Sequence, residues 1–144
     1  MRSVFFLAKT EDFLERFLSK IDKEEFEVHG LGNRDSAHIA PKAKSMLDGA
    51  YLFLYRTKPE PIQTYPEDEK DTSFDAAIDA RKRGYKVEFM VEYRDKEFLI
   101  GVVTDKAFAS LDFLIMNDNC EIFSPHEFSL DSLDLTRGKN LSDT

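Results

Sequence analysis

Two short runs of uninterrupted apolar residues constrain the fold of this chain more than any other feature of its sequence. They occupy residues 4–8 and 50–55. Runs of strand length that carry no charged side chain are typical of strands buried on both faces of a sheet. We therefore expect both runs to be central strands, with helices covering the two faces of the sheet.

The residues between these runs predict two helices and a further strand. After an N-cap at Thr10, apolar side chains recur at helical spacing and predict an amphipathic helix with this stripe: Phe13, Leu14, Phe17, Leu18 and Ile21. Residues 25–30 alternate weakly and predict a strand, and residues 35–49 predict a second helix. The order strand, helix, strand, helix, strand is typical of a parallel sheet with right-handed crossovers.

The second half of the chain begins with a long loop, which is followed by a predicted helix and two hairpins. Residues 58–72 hold three of the five prolines and an acidic run, and this segment is long for a connection inside a compact domain. A third helix is predicted over residues 72–84. Residues 86–93 and 97–103 give the strongest β pattern and predict an antiparallel hairpin, and residues 113–123 predict another.

These elements together predict an α/β fold. We expect a single-domain three-layer sandwich whose mixed sheet combines a parallel N-terminal β-α-β-α-β unit with an antiparallel hairpin at its edge. The domain is expected to span residues 1–128, and residues 129–144 are expected to form a C-terminal tail that docks only in part. A chain of 144 residues has room for one domain and can bury a full core without disulfides or a structural metal.

The charge of the chain argues against two classes of partner. The sequence holds 28 acidic and 20 basic side chains, a formal net charge of −8. A general nucleic-acid binder needs clustered lysine and arginine, and so does a protein that docks on anionic lipid, so we expect neither nucleic acid nor membrane as partner. One cysteine, and no apolar segment long enough for a signal peptide or a spanning helix, lead us to expect a cytoplasmic protein.

No complete catalytic motif is present, and we expect no cofactor. The first strand is followed by Lys9 and Thr10, without the glycines of a phosphate-binding loop. The third strand ends at Arg56, where a receiver domain needs a phosphorylatable aspartate. A protein with a phosphate-binding loop of this kind and an active receiver domain are therefore both excluded.

Three further groups of side chains were considered for chemistry, and a structural or solvated role is favoured for each. They are His29, Asp35 and His38 as metal ligands, Cys120 and His126 as nucleophile and base, and Asp71, Asp75 and Asp79 as carboxylates for acid–base work. We accordingly expect no metal site.

The candidate ligand site lies at the carboxyl ends of the expected parallel strands. Ligands of open α/β sheets bind there, and helix N-termini direct N–H donors at the same rim. Three of these ends carry a cation, which favours an anionic small molecule such as a nucleotide. The predicted ligand-binding residues are Lys9, Thr10, Asn33, Arg34, Arg56, Asp71, Thr72, Ser73 and Asp75.

Two segments at this rim resemble nucleoside deoxyribosyltransferase-like domains. Residues 7–10 (Leu-Ala-Lys-Thr) follow the first strand where that family has Leu-Ala-Gly-Pro, and residues 71–75 resemble a run that opens a later helix of the family. The resemblance covers residues 1–90 and implies the same layout of strands and helices. The Gly-Pro, the second glycine and the catalytic glutamate of the family are missing, so its activity is not expected here.

Two functions from different classes fit the sequence. The first is a non-catalytic binding protein, such as an inhibitor, immunity or anti-defence factor, whose acidic surface attracts a basic protein partner such as a nuclease. Its predicted contacts are Glu67, Asp68 and Glu69 in the acidic loop. The alternative is a nucleotide-binding or nucleotide-processing enzyme that uses the strand-end rim. Self-association through an edge strand is a further expectation.

Overall fold

A computed structural model of the protein describes residues 2–22, 24–29, 35–42, 51–57, 75–105, 108, 110–118 and 120–133. Its elements are, in order, β1 (Arg2–Ala8), α1 (Phe13–Ser19), β2 (Phe26–His29), β3 (Ser36–Pro41), β4 (Leu52–Arg56), α2 (Asp75–Lys82), β5 (Val87–Tyr93), α3 (Lys96–Val103), β6 (Phe113–Met116) and β7 (Ile122–Phe123). Two short 3-10 helices follow, at Pro125–Glu127 and Leu130–Leu133. None of the described helices has the length and apolarity needed to cross a membrane.

All neighbouring strands pair antiparallel, so the expected parallel β-α-β-α-β unit is wrong. The seven strands within the described residues form one sheet in the order β2-β3-β4-β5-β1-β6-β7. β5 lies between β4 and β1 and pairs antiparallel with both. β1 and β4 therefore run in the same direction without being neighbours. The expected parallel sheet needed β1 beside strands from the first half of the chain, and a strand from the second half occupies that place.

The second predicted helix is wrong where the structure describes it, because residues 36–41 form β3. Ala37 and Ile39 are buried on one face of the sheet, and Ser36 and His38 are directed to the other. β2 and β4 flank this strand and satisfy its backbone hydrogen-bonding groups. The rest of the helix predicted over residues 35–49 lies beyond residue 42, outside the described residues. An apolar pattern this short fits the period of a helix and the alternation of a strand equally well.

The second arm of the first expected hairpin is a helix, α3, rather than a strand. Asp95 is its N-cap, and the carboxylate accepts a hydrogen bond from the Phe98 backbone N–H at 2.9 Å. Thr104 is the C-cap of α3. The buried side chains are spaced like those of α1, in the order Phe98, Leu99, Val102 and Val103. The helical pattern was present in the sequence, but an apolar run of strand length obscured it.

Among the other expected elements, the first helix, the third helix and the last hairpin are confirmed. α1 forms where the apolar stripe predicted it, although Asp12 rather than Thr10 is the N-cap. α2 ends at Lys82, and Gly84 just beyond it adopts a φ of +102°, a conformation that favours glycine after a helix. The last predicted hairpin is formed by β6 and β7, which pair antiparallel.

One face of the sheet, the α1/α3 face, carries the larger core, and phenylalanine dominates it. Phe17 of α1 stacks on Phe108 with ring centres 4.3 Å apart, and lies 5.7 Å from Phe6 of β1. Phe13 and Phe113 approach to 5.1 Å in the same cluster. Phenylalanine buries a large apolar area without a polar group, so this cluster contributes strongly to the free energy of folding.

The opposite face, the α2 face, is covered only in part by described helices. Ala77 and Ala80 of α2 form an apolar cluster with Leu7 of β1 and Leu114 of β6. No side chain of β2, β3 or β4 belongs to this cluster. Phe53 of β4 is directed to this face and remains 37% exposed. The half of the α2 face over β2, β3 and β4 therefore presents side chains at the surface.

The described part of the C-terminal tail docks through Leu133. This leucine is 1% exposed and belongs to the core of the α1/α3 face, whereas Leu130 is 46% exposed. Leu135 lies outside the described residues with the rest of residues 134–144.

Two phenylalanine truncations test this division into core and surface. Phe17→Ala removes a fully buried ring and is expected to lower the free energy of unfolding by about 3–5 kcal/mol. Phe53→Ala removes a partly exposed ring and is expected to cost about 1 kcal/mol or less. Urea denaturation followed by far-UV circular dichroism measures both losses. Equal losses at the two positions would contradict the proposed core.

Candidate functional site

The structure brings the ends of β1 and β4 to one edge of the sheet, where the sequence predicted a ligand site, but for a different reason. Both strands run antiparallel to β5, so both end where β5 begins. Ala8 at the end of β1 pairs with Val87, and Arg56 at the end of β4 pairs with Phe89. The predicted residues that follow these two strands therefore share this strand-end edge.

Arg56, the cation at the end of β4, is held by a carboxylate. Its Nη1 and Nη2 both donate to the Glu11 carboxylate, the second at 3.0 Å to Oε1. The Arg56 side chain is 7% exposed. The carboxylate neutralises the charge of this arginine, and burial keeps the guanidinium away from an anion in solution. This pair connects the start of α1 to the end of β4 rather than presenting a free positive charge.

Lys9, the cation after β1, is also paired, in a cluster with Asp112 and Tyr85. Its Nζ lies 3.1 Å from Asp112 Oδ2, and this bond is the main cause of the raised pKa of Lys9. The Tyr85 hydroxyl donates to Asp112 Oδ1 at 2.6 Å and is the main cause of the lowered pKa of Asp112. Burial, and then the bond to Asp112, raise the pKa of Tyr85. The cluster thus holds an ammonium, a carboxylate and a neutral phenol at pH 7.

A cavity of about 440 Å³ opens beside this cluster. Tyr85 and Asp112 line it, together with the exposed side chains of Asp105 and His126. The other side chains are mostly apolar and include Val103, Phe108, Leu111, Phe113, Leu114 and Pro125. Among the described residues of this lining there is no lysine or arginine, and there are two aspartates. The cavity therefore favours neither a nucleotide nor another anion.

A third ion pair lies on the α2 face. Glu88 of β5 accepts a hydrogen bond from Arg81 Nη2 at 3.0 Å and another from the Thr57 hydroxyl at 2.7 Å. The side chains of Arg81 and Glu88 are 4% and 11% exposed. This buried pair connects the C-terminal turn of α2 to β5 and to the end of β4, so its role is to position the helix.

Of the other predicted site residues, the structure places two. Thr10 lies at the strand-end edge, and its carbonyl accepts a hydrogen bond from the Phe13 N–H at 3.3 Å. Asp75 is the first residue of α2. The rest fall outside the described residues: Asn33, Arg34, Asp71, Thr72 and Ser73 for the ligand, and Glu67, Asp68 and Glu69 for the partner.

The half of the α2 face that no described helix covers forms a second candidate site, here called the open face. Residues paired directly across an antiparallel sheet direct their side chains to the same side and form rows. One row on this face consists of His29, His38, Phe53, Glu92 and Ser3. The next row consists of Ser36, Tyr55, Met90 and Phe5. Glu27 stands two residues before His29 on the same side of β2.

Rings are close together along the open face. The ring centres of His29 and His38 are 6.0 Å apart, those of His38 and Phe53 are 6.3 Å apart, and those of Phe53 and Tyr55 are 5.5 Å apart. Burial, and then the neighbouring His29, lower the pKa of His38, so His38 is neutral at pH 7. The Tyr55 hydroxyl donates to Glu92 Oε1 at 3.2 Å, and burial followed by this bond raises the pKa of Tyr55.

The strands give the open face a negative charge. β2, β3, β4 and β5 direct Glu27, Glu88 and Glu92 to the α2 face, and no lysine or arginine. Glu88 has the ion pair described above. Within the described residues, no lysine or arginine forms an ion pair with Glu27 or Glu92. Lys86 and Arg94 lie just beyond the two ends of β5, at positions that continue the alternation of Glu88 and Glu92.

Neither a motif nor a relative identifies the site. No protein-family model, curated protein or solved structure matches the chain. Among the described ranges of the chain, no three His, Cys, Asp or Glu residues are arranged to hold a metal ion. Cys120 packs against the apolar cluster under α2, whereas His126 lines the cavity.

Sequence reasoning missed the open face because β4 is apolar on both sides. Nothing in its sequence distinguishes the buried Leu52 and Leu54 from Phe53 and Tyr55 on the other side. The available signal was the alternation of β5, whose side opposite the core includes Glu88 and Glu92 and therefore predicts a polar face.

The Glu88–Arg81 pair leads to a stability prediction. Glu88→Gln leaves Arg81 buried without this counter-charge, and we expect the free energy of unfolding to fall by about 3 kcal/mol. The double variant Arg81→Met/Glu88→Leu replaces both charges with apolar groups, so it should recover most of that loss. Urea denaturation compares the three proteins. A loss below about 1 kcal/mol in Glu88→Gln, the range of exposed pairs, would contradict the burial of this pair.

The cluster at Asp112 leads to a prediction about pH. Tyr85→Phe removes the hydrogen bond that most lowers the pKa of Asp112, so this pKa should rise toward its usual value. A carboxyl group whose pKa is lower in the folded state than in the unfolded state stabilises the fold at pH values above the unfolded-state pKa. This stabilisation is lost as the pH falls through the folded-state pKa. The variant should therefore lose less stability on acidification. Titration of the carboxyl carbons by NMR measures the pKa, with Tyr55→Phe as a control that should leave Asp112 unchanged.

Proposed function

We propose that this protein is a non-catalytic binding protein whose open face docks on a basic protein partner. The observation that carries the proposal is the combination, on this face, of exposed Phe53 with Glu27 and Glu92 and without lysine or arginine from the four strands. Phe53 and the neighbouring rings of His38 and Tyr55 form an aromatic surface with polar groups around it, which is typical of interaction sites. Aromatic residues are enriched in such interfaces.

The charge of the whole chain supports the same kind of partner. A net charge of −8 attracts cationic proteins and raises the rate at which they associate. The cations at the strand-end edge contribute little to a counteracting field, since Lys9 is paired with Asp112 and Arg56 with Glu11. A partner that exposes arginine or lysine complements the open face in charge.

A protein of this kind acts by occupying its partner's surface. We place it among inhibitors, immunity proteins or anti-defence factors that bind a basic protein such as a nuclease in the cytoplasm. The acidic segment with Glu67, Asp68 and Glu69 is a predicted second contact. We favour a different protein over a second copy, because Glu27 on the edge strand β2 would face the same charge in a strand-to-strand pair.

The alternative function, a nucleotide-binding enzyme, has less support. It required a site at the carboxyl ends of parallel strands, and the strands pair antiparallel. It also required free cations at that edge, and the two predicted cations that the structure describes, Lys9 and Arg56, are paired with carboxylates. We therefore propose binding of a protein rather than nucleotide chemistry.

A matched pair of charge reversals tests the proposed function. Glu27→Lys reverses a charge on the open face, and Glu97→Lys makes the same change in net charge at an exposed position in the first turn of α3. A partner captured from the source cells is purified, and its affinity for each variant is measured by titration calorimetry. Glu27→Lys should weaken binding about fivefold to tenfold at low salt, and the effect should shrink at high salt.

The control decides whether the face or only the overall charge matters. Glu97→Lys should change the affinity by less than about twofold, since this charge lies outside the interface. Equal weakening by both variants, or a captured partner without a basic surface, would contradict docking on the open face. Charge reversal at Glu67, Asp68 and Glu69 tests the predicted second contact in the same assay.

A further inference from the structure

We propose that Phe53 and Glu92 form a binding site for an arginine side chain of the partner, here called the arginine site. The inference rests on the proposed function and names the chemical group that the open face recognises. Phe53 of β4 and Glu92 of β5 are paired directly across the two strands, so their side chains leave the sheet side by side. One of them offers an aromatic ring and the other a carboxylate.

The Glu92 carboxylate is oriented by the protein and retains capacity for a further donor. The Tyr55 hydroxyl on the neighbouring strand lies 3.2 Å from Oε1 and 2.7 Å from Met90 Sδ, so its one proton is shared between these two acceptors. An ionised carboxylate has about four acceptor positions, so one hydrogen bond fixes its orientation without saturating it. Among the lysines and arginines that the structure describes, none forms an ion pair with Glu92.

The Phe53 ring is supported on two sides while part of it stays at the surface. The ring of Tyr55 lies 5.5 Å away and that of His38 lies 6.3 Å away, measured between centres. Phe53 nevertheless remains 37% exposed. A ring that neighbours already hold loses little side-chain entropy when a ligand covers it, so the site is preorganised.

Arginine fits this pair of groups better than other candidate ligands. Its planar guanidinium stacks on an aromatic ring and donates to a carboxylate at the same time. The lysine ammonium is a compact and strongly hydrated charge, which gains less from a ring face. Phosphates of nucleic acid are repelled by Glu92 and Glu27. A second copy of this chain presents the same carboxylates and is repelled as well.

Three labelled peptides of equal length test the arginine site: octa-arginine, octa-lysine and octa-citrulline. Citrulline keeps the planar end group of arginine without its charge. Fluorescence anisotropy measures the affinity of each peptide for the full chain at low salt. We expect octa-arginine to bind about fivefold more tightly than octa-lysine, the ratio that one exposed cation–π contact gives, and octa-citrulline to bind least.

Substitutions then locate the preference for arginine. Phe53→Leu removes the ring but keeps an apolar side chain, and Glu92→Gln removes the charge but keeps the shape. Each should reduce the arginine-to-lysine ratio to about twofold or less. Glu27→Gln is the matched control, because it removes a charge from the same face outside the arginine site. It should weaken both cationic peptides by the same factor and leave the ratio unchanged.

The outcomes separate this inference from the function on which it rests. A wild-type ratio near one, or a ratio that neither Phe53→Leu nor Glu92→Gln alters, overturns the arginine site and leaves cation binding in place. Failure of both cationic peptides to bind the wild-type chain contradicts the proposed function itself. Light scattering that shows a wild-type dimer which Phe53→Leu dissociates would place a second copy on this face and also overturn the inference. Thermal melting confirms that each variant is folded, and Tyr55→Phe replaces Glu92→Gln if the latter is not.

Discussion

The structure depends on the position and register of β5 at the centre of the sheet. This strand pairs with β1 on one side and with β4 on the other, and so joins the first half of the chain to the second. Its alternation directs Val87, Phe89, Val91 and Tyr93 into the core, and Glu88, Met90 and Glu92 to the α2 face. A register shift of one residue would exchange these two sets. The strand that completes the core therefore also fixes the positions of Glu88, which pairs with Arg81 of α2, and of Glu92 in the arginine site.

The sequence predicted the elements in which a single period dominates the pattern. α1 has a full helical stripe, and β5 alternates over its whole length, so both were identified. Residues 36–41 and 96–103 are short, and their apolar residues fit a helix and a strand about equally well. Their conformations are decided by the two neighbouring strands of β3 and by the Asp95 cap of α3.

The pairing of the strands and the chemistry of the strand-end edge could not be predicted in the same way. Alternating strands and helices usually form parallel sheets, and nothing local indicates that β5 inserts between β1 and β4. The ends of β1 and β4 do lie at one edge, because both strands run antiparallel to β5. The ion pairing at this edge could not be predicted, because the carboxylate that pairs with Arg56 belongs to Glu11, a residue 45 positions away in the sequence. Such long-range pairs leave no spacing pattern to detect.

The row that contains Phe53 crosses the strands instead of following one of them. Between β2 and β5 it takes one side chain from each of the four strands, and at about 4.8 Å between strands this part of the row extends for about 14 Å. A partner lying along this row would connect β2, an edge strand of four residues, to the centre of the sheet. Short edge elements are among the first parts of a protein to open locally. A bound partner would therefore hold this corner closed, and each local opening of β2 and β3 would shorten the residence time of the partner.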